Sequence, residues 1–437
     1  MRKSILLPSA CGFALQALCA GGYQPEPWNL AARQKFAEQR FGIIIHWGIY
    51  STYSREASWF LVDTKDEEAY GRAKDGFCPS KFDATEWVRT IKAAGARYLT
   101  FTSRHHDGFA LWPTKVDDGY NIANTPFGRD VVGELAKACA AEGLQFQIYY
   151  SLPDWHRKTY PPGKMADAIP LKDRKPDYPA YHRFMLAQVT ELLDSYHPSA
   201  IWFDGEGDQE TDAEGRPFDW RLDELYDLVH SRKALVVNNN HKPIREREDV
   251  QTFMYDLPGE NVFGYSGNQP VAPGRPLEQT ELIQRGTWAY DITKQEFRSS
   301  DEVVAMIARA SSRGANLLLN VGPDGSGRFP RRAVETLSGV GEWMAVNGES
   351  IYGTVAGGVG LAKDVVSTRK GNALYLHFLN PKVAEFTFKA DGGVAEAKCL
   401  DGRCEARVKT APTGESTVSI RRPAGYGHDV VVKLVMK

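Results

Sequence analysis

The sequence predicts an α/β protein: a (β/α)8-like, TIM-type barrel followed by a small antiparallel β-sandwich. Three observations predict it. From about residue 41 to residue 348, short apolar runs alternate with amphipathic stretches, the signature of strand–helix units feeding a parallel sheet. Several of the runs end in polar and aromatic residues, as strands do at the functional rim of such a barrel. After about Tyr352 the pattern changes to short alternating or β-rich segments separated by Gly, Pro and Asp, which reads as an antiparallel sandwich.

Six strands are clear, at 41–46, 98–102, 145–150, 200–204, 235–238 and 316–320, and two weaker ones are placed at 250–253 and 287–290. Helical patterns between them cover 84–94, 131–141, 181–195 and 301–309. The sandwich strands are expected at 373–379, 383–389, 416–421 and 429–435. A stretch rich in Pro, Lys and Asp at 161–177 reads as a long surface loop over the barrel mouth. The 437 residues suit a barrel of roughly 250–350 residues plus one smaller domain. The reading divides the chain into a signal peptide at 1–22, a barrel at 23–352 and a sandwich at 353–437.

The signal rests on Arg2 and Lys3, an apolar run over 5–18, and the small residues Ala20, Gly21 and Gly22. That order is the order of a secretory signal, so an exported protein, periplasmic or extracellular, is expected. Pro8 and Gly12 break the run, and it is too short to span a bilayer well. The residues before Cys19 match a lipid-attachment box poorly. Lys and Arg total 53 against 55 Asp and Glu; no basic excess favours a nucleic-acid partner. Of six cysteines, Cys78, Cys139, Cys399 and Cys404 lie beyond the signal. Cys399 and Cys404 flank a turn-like Leu-Asp-Gly-Arg, where an oxidising compartment permits a local disulfide and two free thiols are the alternative. No cysteine has zinc-site spacing.

The first strand ends in His46-Trp47-Gly48, and the second in Ser103-Arg104-His105-His106-Asp107-Gly108-Phe109. The third ends in Tyr149-Tyr150-Ser151, with Asp154-Trp155-His156 just after, and the fourth in Trp202-Phe203-Asp204-Gly205. A lone histidine after a strand is usually a satisfied core group. Three histidines, a tyrosine and an aspartate converging on one rim are hard to explain as packing. Asp107 and Asp204 with His46 and His105 could hold a metal. The interleaved tryptophan and tyrosine favour a sugar instead, because aromatic faces stack on its C–H surfaces and neutral imidazoles bond its hydroxyls.

These strings resemble glycoside hydrolase family 29, the α-L-fucosidases. The resemblance is carried by Phe41-Gly42-Ile43-Ile44-Ile45-His46-Trp47-Gly48, by the string from Tyr98 to Trp112, by Tyr149-Tyr150-Ser151-Leu152, by Trp202-Phe203-Asp204-Gly205, and by the string from Gly314 to Pro323. It covers roughly residues 28–355, in the family's order. It implies a barrel followed by a sandwich, no cofactor, a fucosylated oligosaccharide or glycoconjugate as substrate, and double displacement by two carboxyl groups with retention at the anomeric carbon. The nucleophile then corresponds to Asp204. The fucose-binding residues correspond to His46, Trp59, His105, His106, Tyr150 and Trp288, with Tyr149 the alternative to Tyr150 if the strand phase is shifted.

The pattern breaks at the general acid/base. The family's glutamate after the fifth strand is Met254 here, in Asp249-Val250-Gln251-Thr252-Phe253-Met254. Its Val-Asn-Asp-Arg reads Val237-Asn238-Asn239-Asn240, and the glutamate before the pocket tryptophan is Ser58, with Glu56 close by. Glu278 matches a further glutamate near the family's active site and is the first choice for the acid; Asp256, Glu260 and Glu248 are the alternatives. Glu206 and Asp208 follow Asp204 too closely to reach the opposite face of a sugar. A fucose-binding pseudoenzyme and a related α-L-galactosidase stand beside the leading expectation, a retaining exo-α-L-fucosidase.

Overall fold

Eight parallel strands form the N-terminal layer of the computed structural model: β1 (Phe41–Ile45), β2 (Tyr98–Arg104), β3 (Gln145–Ser151), β4 (Ala200–Asp204), β5 (Leu235–Asn238), β6 (Gln251–Met254), β7 (Leu277–Leu282) and β8 (Ala315–Val321). The structure describes residues 22–437 except 117–118, 166–168, 170–172, 213, 240–242, 266–268, 361–363, 390–392 and 425–428. The expected signal (apart from Gly22), Asn240 and part of the expected loop at 161–177 lie outside the described residues.

The strands run in the order β5-β4-β3-β2-β1-β8-β7-β6. A parallel bridge from Val237 to Val250 brings the two edges together, so the barrel is nearly closed. Helices Ala84–Ala93, Val131–Glu142, Tyr178–Tyr196, Leu222–Ser231, Ser300–Ser312 and Arg331–Asn347 follow β1, β2, β3, β4, β7 and β8. Asp83, Asp130, Asp177 and Ser299 cap four of them by accepting from backbone N–H groups three residues on, which satisfies donors that a helix start leaves unpaired.

Seven of the eight expected strands are present within a few residues. The eighth is a correction: no strand spans 287–290, and the seventh strand is Leu277–Leu282 instead. Its two glutamates interrupt the apolar run of Leu-Glu-Gln-Thr-Glu-Leu, yet the whole segment is buried. Glu278 finds donors inside the barrel, and Glu281 is paired by Arg298 at 3.0 Å.

Alternation along the strands separates two cores. Ile44, Tyr98, Tyr149, Trp202, Val237 and Leu318 fill the barrel interior. Their neighbours Ile43, Leu99, Tyr150, Phe203, Val236 and Leu319 pack outward in the layer beneath the helices. Gly42 is part of this design: a Cβ there would lie 2.2 Å from the Tyr98 ring, so only glycine leaves room for that ring inside the barrel.

At the base, the buried Asp249 accepts from Asn29 at 2.8 Å, Arg33 at 2.6 Å, His230 at 2.9 Å and the Val236 N–H at 2.6 Å. Burial raises its pKa, but these donors and charges outweigh burial and hold the carboxyl below its usual range. The first helix (Pro27–Gln39) is thereby tied to the end of the barrel near the β5–β6 gap.

The C-terminal strands are β9 (Val355–Ala356), β10 (Val365–Lys370), β11 (Ala373–Phe378), β12 (Glu385–Lys389), β13 (Val394–Cys399), β14 (Glu405–Thr410), β15 (Glu415–Arg421) and β16 (Val430–Met436). They form antiparallel sheets β13-β16-β11-β10-β9 and β12-β15-β14. Leu374, Leu376 and Val432 of the first sheet share a core with Phe388, Val418 and Ile420 of the second. Cys399 and Cys404 are separate buried thiols, raised to about 12 and about 11 by burial. No helix among the described residues is long and apolar enough to cross a membrane.

Candidate active site

The C-terminal ends of the strands surround a cavity of about 1160 Å³, ample for one sugar ring and part of a second. Its lining includes His46, Trp59, His105, His106, Asp204 and Trp288, all six expected from the sequence. Trp155, Asn239, Met254 and Tyr255 also line it.

Asp204, the last residue of β4, is held from two sides. Tyr149 donates its hydroxyl to Oδ2 at 2.7 Å, and Asn239 donates its amide to Oδ1 at 2.9 Å. Both donors favour the charged carboxylate and fix its orientation. His106 Nε2 lies 3.8 Å from Oδ2.

All three histidines are buried, and burial is the chief cause that lowers each pKa: His46 to about 4, His105 well below its usual value, His106 downward despite the nearby Asp204. They are therefore neutral near pH 7. Each Nδ1 is engaged from behind, His46 by Asn320 at 2.6 Å, His105 by Ser58 at 2.7 Å and His106 by Ser151. Asn320 gives its amide N–H to the Trp288 carbonyl at 2.5 Å, so its oxygen is the end that faces His46. His46 then donates through Nδ1 and presents Nε2 as an acceptor. Among the described residues, no three His, Cys, Asp or Glu side chains converge as metal ligands.

Rings stack beneath and around these groups. His105 lies parallel to Tyr149 at 5.6 Å, and Tyr149 lies on Trp202 at 5.6 Å. Trp59 meets His106 and Trp155 edge-on, and Trp288 leans on His46 at 5.1 Å. The Arg104 guanidinium braces the rim from outside: it bonds Asp154, Gln188, the Ser151 carbonyl and Tyr181, and stacks on Tyr150. Gly108 has φ +81°, and a Cβ there would lie 2.1 Å from Asp154; the turn after the two histidines needs glycine for both reasons.

Two expected residues lie elsewhere. Tyr150 faces outward, bonding Gln188 at 3.0 Å under Arg104, and Tyr149 takes the cavity wall; the strand phase is the alternative one. Glu278 is fully buried below the floor, accepting from Tyr98 at 2.6 Å and from the Trp202 indole at 2.9 Å. It supports the ring on which Tyr149 stacks and does not line the cavity. The other acid candidates are also absent from the lining. Asp256 accepts the Val262 and Phe263 N–H groups, Glu260 pairs with Arg313 at 2.9 Å, and Glu248 bonds Tyr226 and Arg245.

The α-L-fucosidase family model matches residues 14–349. The human tissue α-L-fucosidase is 29% identical over 378 residues, covering 79% of this chain and 75% of its own length. The α-L-fucosidase of Branchiostoma floridae is 29% identical over 351 residues, 73% of this chain and 72% of its own. Among solved structures, α-L-fucosidase isoenzyme 1 from Paenibacillus thiaminolyticus superposes with a TM-score of 0.81 at 29% identity, covering 94% of this chain and all of that one. A Bacteroides thetaiotaomicron α-L-fucosidase, trapped as a covalent intermediate with 2-fluoro-fucosyl fluoride, has a TM-score of 0.78 at 25% identity and covers 96% and 98%.

Glu278 makes a prediction about stability. Burial raises its pKa to about 7, against the opposing hydrogen bonds from Tyr98 and Trp202. Below about pH 4 the group is protonated folded or unfolded and contributes nothing. As pH rises, the unfolded chain ionises first, so the group destabilises the fold increasingly until the folded form ionises near pH 7. The full effect is about 3 kcal/mol. The stability difference between Glu278→Gln and the unaltered protein should therefore shift by up to that amount in the variant's favour between pH 4 and pH 7. Urea unfolding of both across that range measures it; parallel curves would refute the assignment.

Proposed function

Because this chain belongs to the α-L-fucosidase family, glycoside hydrolase family 29, we propose that it is itself a retaining exo-α-L-fucosidase. It removes terminal α-L-fucose from oligosaccharides or glycoconjugates, with Asp204 as nucleophile. The observation that carries the reading is the carboxylate of Asp204, held by Tyr149 and Asn239 in a cavity walled by three neutral histidines and by tryptophans.

The geometry suits each part of the reaction. A fixed, ionised carboxylate can attack an anomeric carbon without first reorganising. Neutral imidazoles can accept from or donate to sugar hydroxyls according to tautomer, and His46 is arranged to accept. Trp59, Trp155 and Trp288 offer apolar faces to the C–H surfaces and the methyl group of fucose. Attack forms a fucosyl–Asp204 ester as the glycosidic oxygen departs, and water then releases fucose with its configuration retained. Met254 in the lining favours one rival, a fucose-binding protein without turnover; hydrolysis of an aryl α-L-fucoside and of a fucosylated oligosaccharide separates the two.

We infer export from the N-terminal pattern of Arg2, Lys3 and the apolar run over 5–18. N-terminal sequencing of the protein recovered outside the cytoplasm should find the chain beginning near residue 23; an intact Met1 there would reject cleavage.

Asp204→Asn or Asp204→Gly should lower hydrolysis of an aryl α-L-fucoside by on the order of 10³-fold or more, about 4 kcal/mol of barrier, with folding unchanged. A 2-fluoro-fucosyl reagent should label Asp204; activity within tenfold of the unaltered enzyme removes Asp204 from the role.

The two tyrosines give a paired test of strand phase. Tyr149→Phe deletes a hydrogen bond to a charged group, worth about 1.5–3 kcal/mol, and should cut kcat/KM by roughly 10- to 100-fold. Tyr150→Phe should cost about 1 kcal/mol of unfolding stability with kcat/KM near its original value. The reverse pattern would place Tyr150 at the substrate.

A further inference from the structure

We propose that Glu56 is the general acid/base of this enzyme, supplied from the loop after β1 in place of the β6 end that carries Met254. The proposal rests on the double displacement at Asp204 described above, and asks which second carboxyl serves it.

The carboxyls that line the cavity besides Asp204 are Glu56, Asp208, Glu210 and Glu281. Asp208 is committed to the Trp155 indole, the Tyr160 hydroxyl and the Met165 N–H, at 3.2, 2.7 and 2.7 Å. Glu210 is exposed and pairs with Lys164 at 3.1 Å. Glu281 is tied to Arg298 by a hydrogen-bonded ion pair at 3.0 Å, closer than the 3.5 Å between Glu56 and Lys294. Asp208 and Glu210 also sit on the same loop as Asp204.

Glu56 is on a different wall. Its Oε1 accepts the Trp288 N–H at 2.9 Å. Trp288 leans on His46, and His46 packs edge-on against Tyr149, the residue that holds Asp204. Glu56 and Asp204 thus line one cavity from different elements, as the two carboxyls of a retaining pair must. Oε2 is buried, without a hydrogen-bond partner among the described residues but ion-paired with the Lys294 ammonium at 3.5 Å, so the carboxyl must turn toward the cavity to reach a leaving group. Burial is the largest influence on the Glu56 carboxyl and raises its pKa, against the lowering effects of Thr287, Trp288 and Lys294. That is the direction a proton donor needs.

The backbone adds an independent sign. Ser54 and Ala57, on either side of Glu56, have φ of +52° and +26° without being glycine. Such conformations cost energy and gather at functional sites. Here they form a short turn fixed by the Ile292 N–H on the Ser54 carbonyl and the Phe60 N–H on the Glu56 carbonyl.

In the first step, Asp204 bonds to the anomeric carbon as the glycosidic C–O bond breaks. Its electron pair goes to the departing oxygen, which takes the proton of Glu56, leaving an ester, a free alcohol and the Glu56 carboxylate. In the second step, water gives a proton to Glu56 and its oxygen bonds to the anomeric carbon. The ester bond breaks, its electrons return to Asp204, and fucose leaves with both carboxyls restored.

Glu56→Ala and Glu56→Gln test this on two substrates, with the unaltered enzyme and Asp204→Gly alongside. A dinitrophenyl α-L-fucoside needs no proton on its leaving group; a fucosyl disaccharide does. Both Glu56 variants should lose roughly 10²–10⁴-fold on the disaccharide. They should still release a burst of dinitrophenolate and label at Asp204 with a 2-fluoro-fucosyl reagent. Azide should speed turnover of Glu56→Ala and yield α-L-fucosyl azide, since it attacks the intermediate. With Asp204→Gly it should yield the β anomer, since it attacks the substrate. If the unaltered enzyme cleaves the disaccharide and Glu56→Ala does so within about threefold, the proposal fails and the Asp204 reading stands. An equal loss on both substrates with no azide product, in a variant that unfolds at the original temperature, also overturns it. An unaltered enzyme inert on every fucoside overturns the enzymatic reading instead.

Discussion

Successive side chains of a strand face opposite sides, and in a closed parallel barrel that alternation decides which residues can meet. Ile44, Trp202 and Leu318 point into the barrel; Ile43, Phe203 and Leu319, one residue away, point into the layer under the helices. The phase that buries this interior core also carries His46, Asp204, Asn239, Met254 and Asn320 to its upper end. None of these residues can change face without reversing the whole apolar pattern below it. The register of β3 on β4, with Tyr149 beside Trp202 and Ser151 beside Asp204, therefore fixes the Tyr149–Asp204 hydrogen bond.

A polar site built on such a core must satisfy its own polar groups, because water does not reach them. The structure does this in layers. Glu278 takes the hydrogens of Tyr98 and Trp202 under the floor; Trp202 carries Tyr149, and Tyr149 holds Asp204. Ser58, Ser151 and Asn320 fix the three imidazoles from behind, while Arg104 clamps the ends of β2 and β3. Each imidazole that would face substrate is thus oriented by a group behind it. Placement keeps the histidines neutral, and the donors on Asp204 favour its charged form.

Most of the barrel was legible in the sequence because its strands are apolar runs bounded by turns. The exception, Leu277–Leu282, shows the limit of that signal: hydrophobicity cannot reveal a buried glutamate whose donors, Tyr98 and Trp202, lie more than 70 residues away. Asp204, Trp59, Trp288 and the three histidines were legible because strand ends and family strings mark them. Tyr149 and Tyr150 were a question of phase, which adjacent tyrosines leave undecided until Arg104 and Gln188 are seen to occupy one of them. Asn239 and the candidate role of Glu56 were not legible. Asn239 follows β5 and meets Asp204 through the register of β5 on β4, and Glu56 reaches Trp288 from a loop whose position is a product of packing.

Two departures from the family strings change the polarity of the cavity wall. Asn239, where the family string has aspartate, donates to Asp204 at 2.9 Å, whereas a second carboxylate could not donate there. Replacing the β6 glutamate by Met254 leaves that wall apolar, beside Tyr255, whose ring lies 5.6 Å from Trp288. An apolar wall cannot deliver a proton. Nearby, burial of the Glu56 carboxyl, which accepts the Trp288 N–H, raises its pKa. The β6 end without its carboxyl and the Glu56 carboxyl with a raised pKa thus meet at Trp288, which Tyr255 and Glu56 both contact.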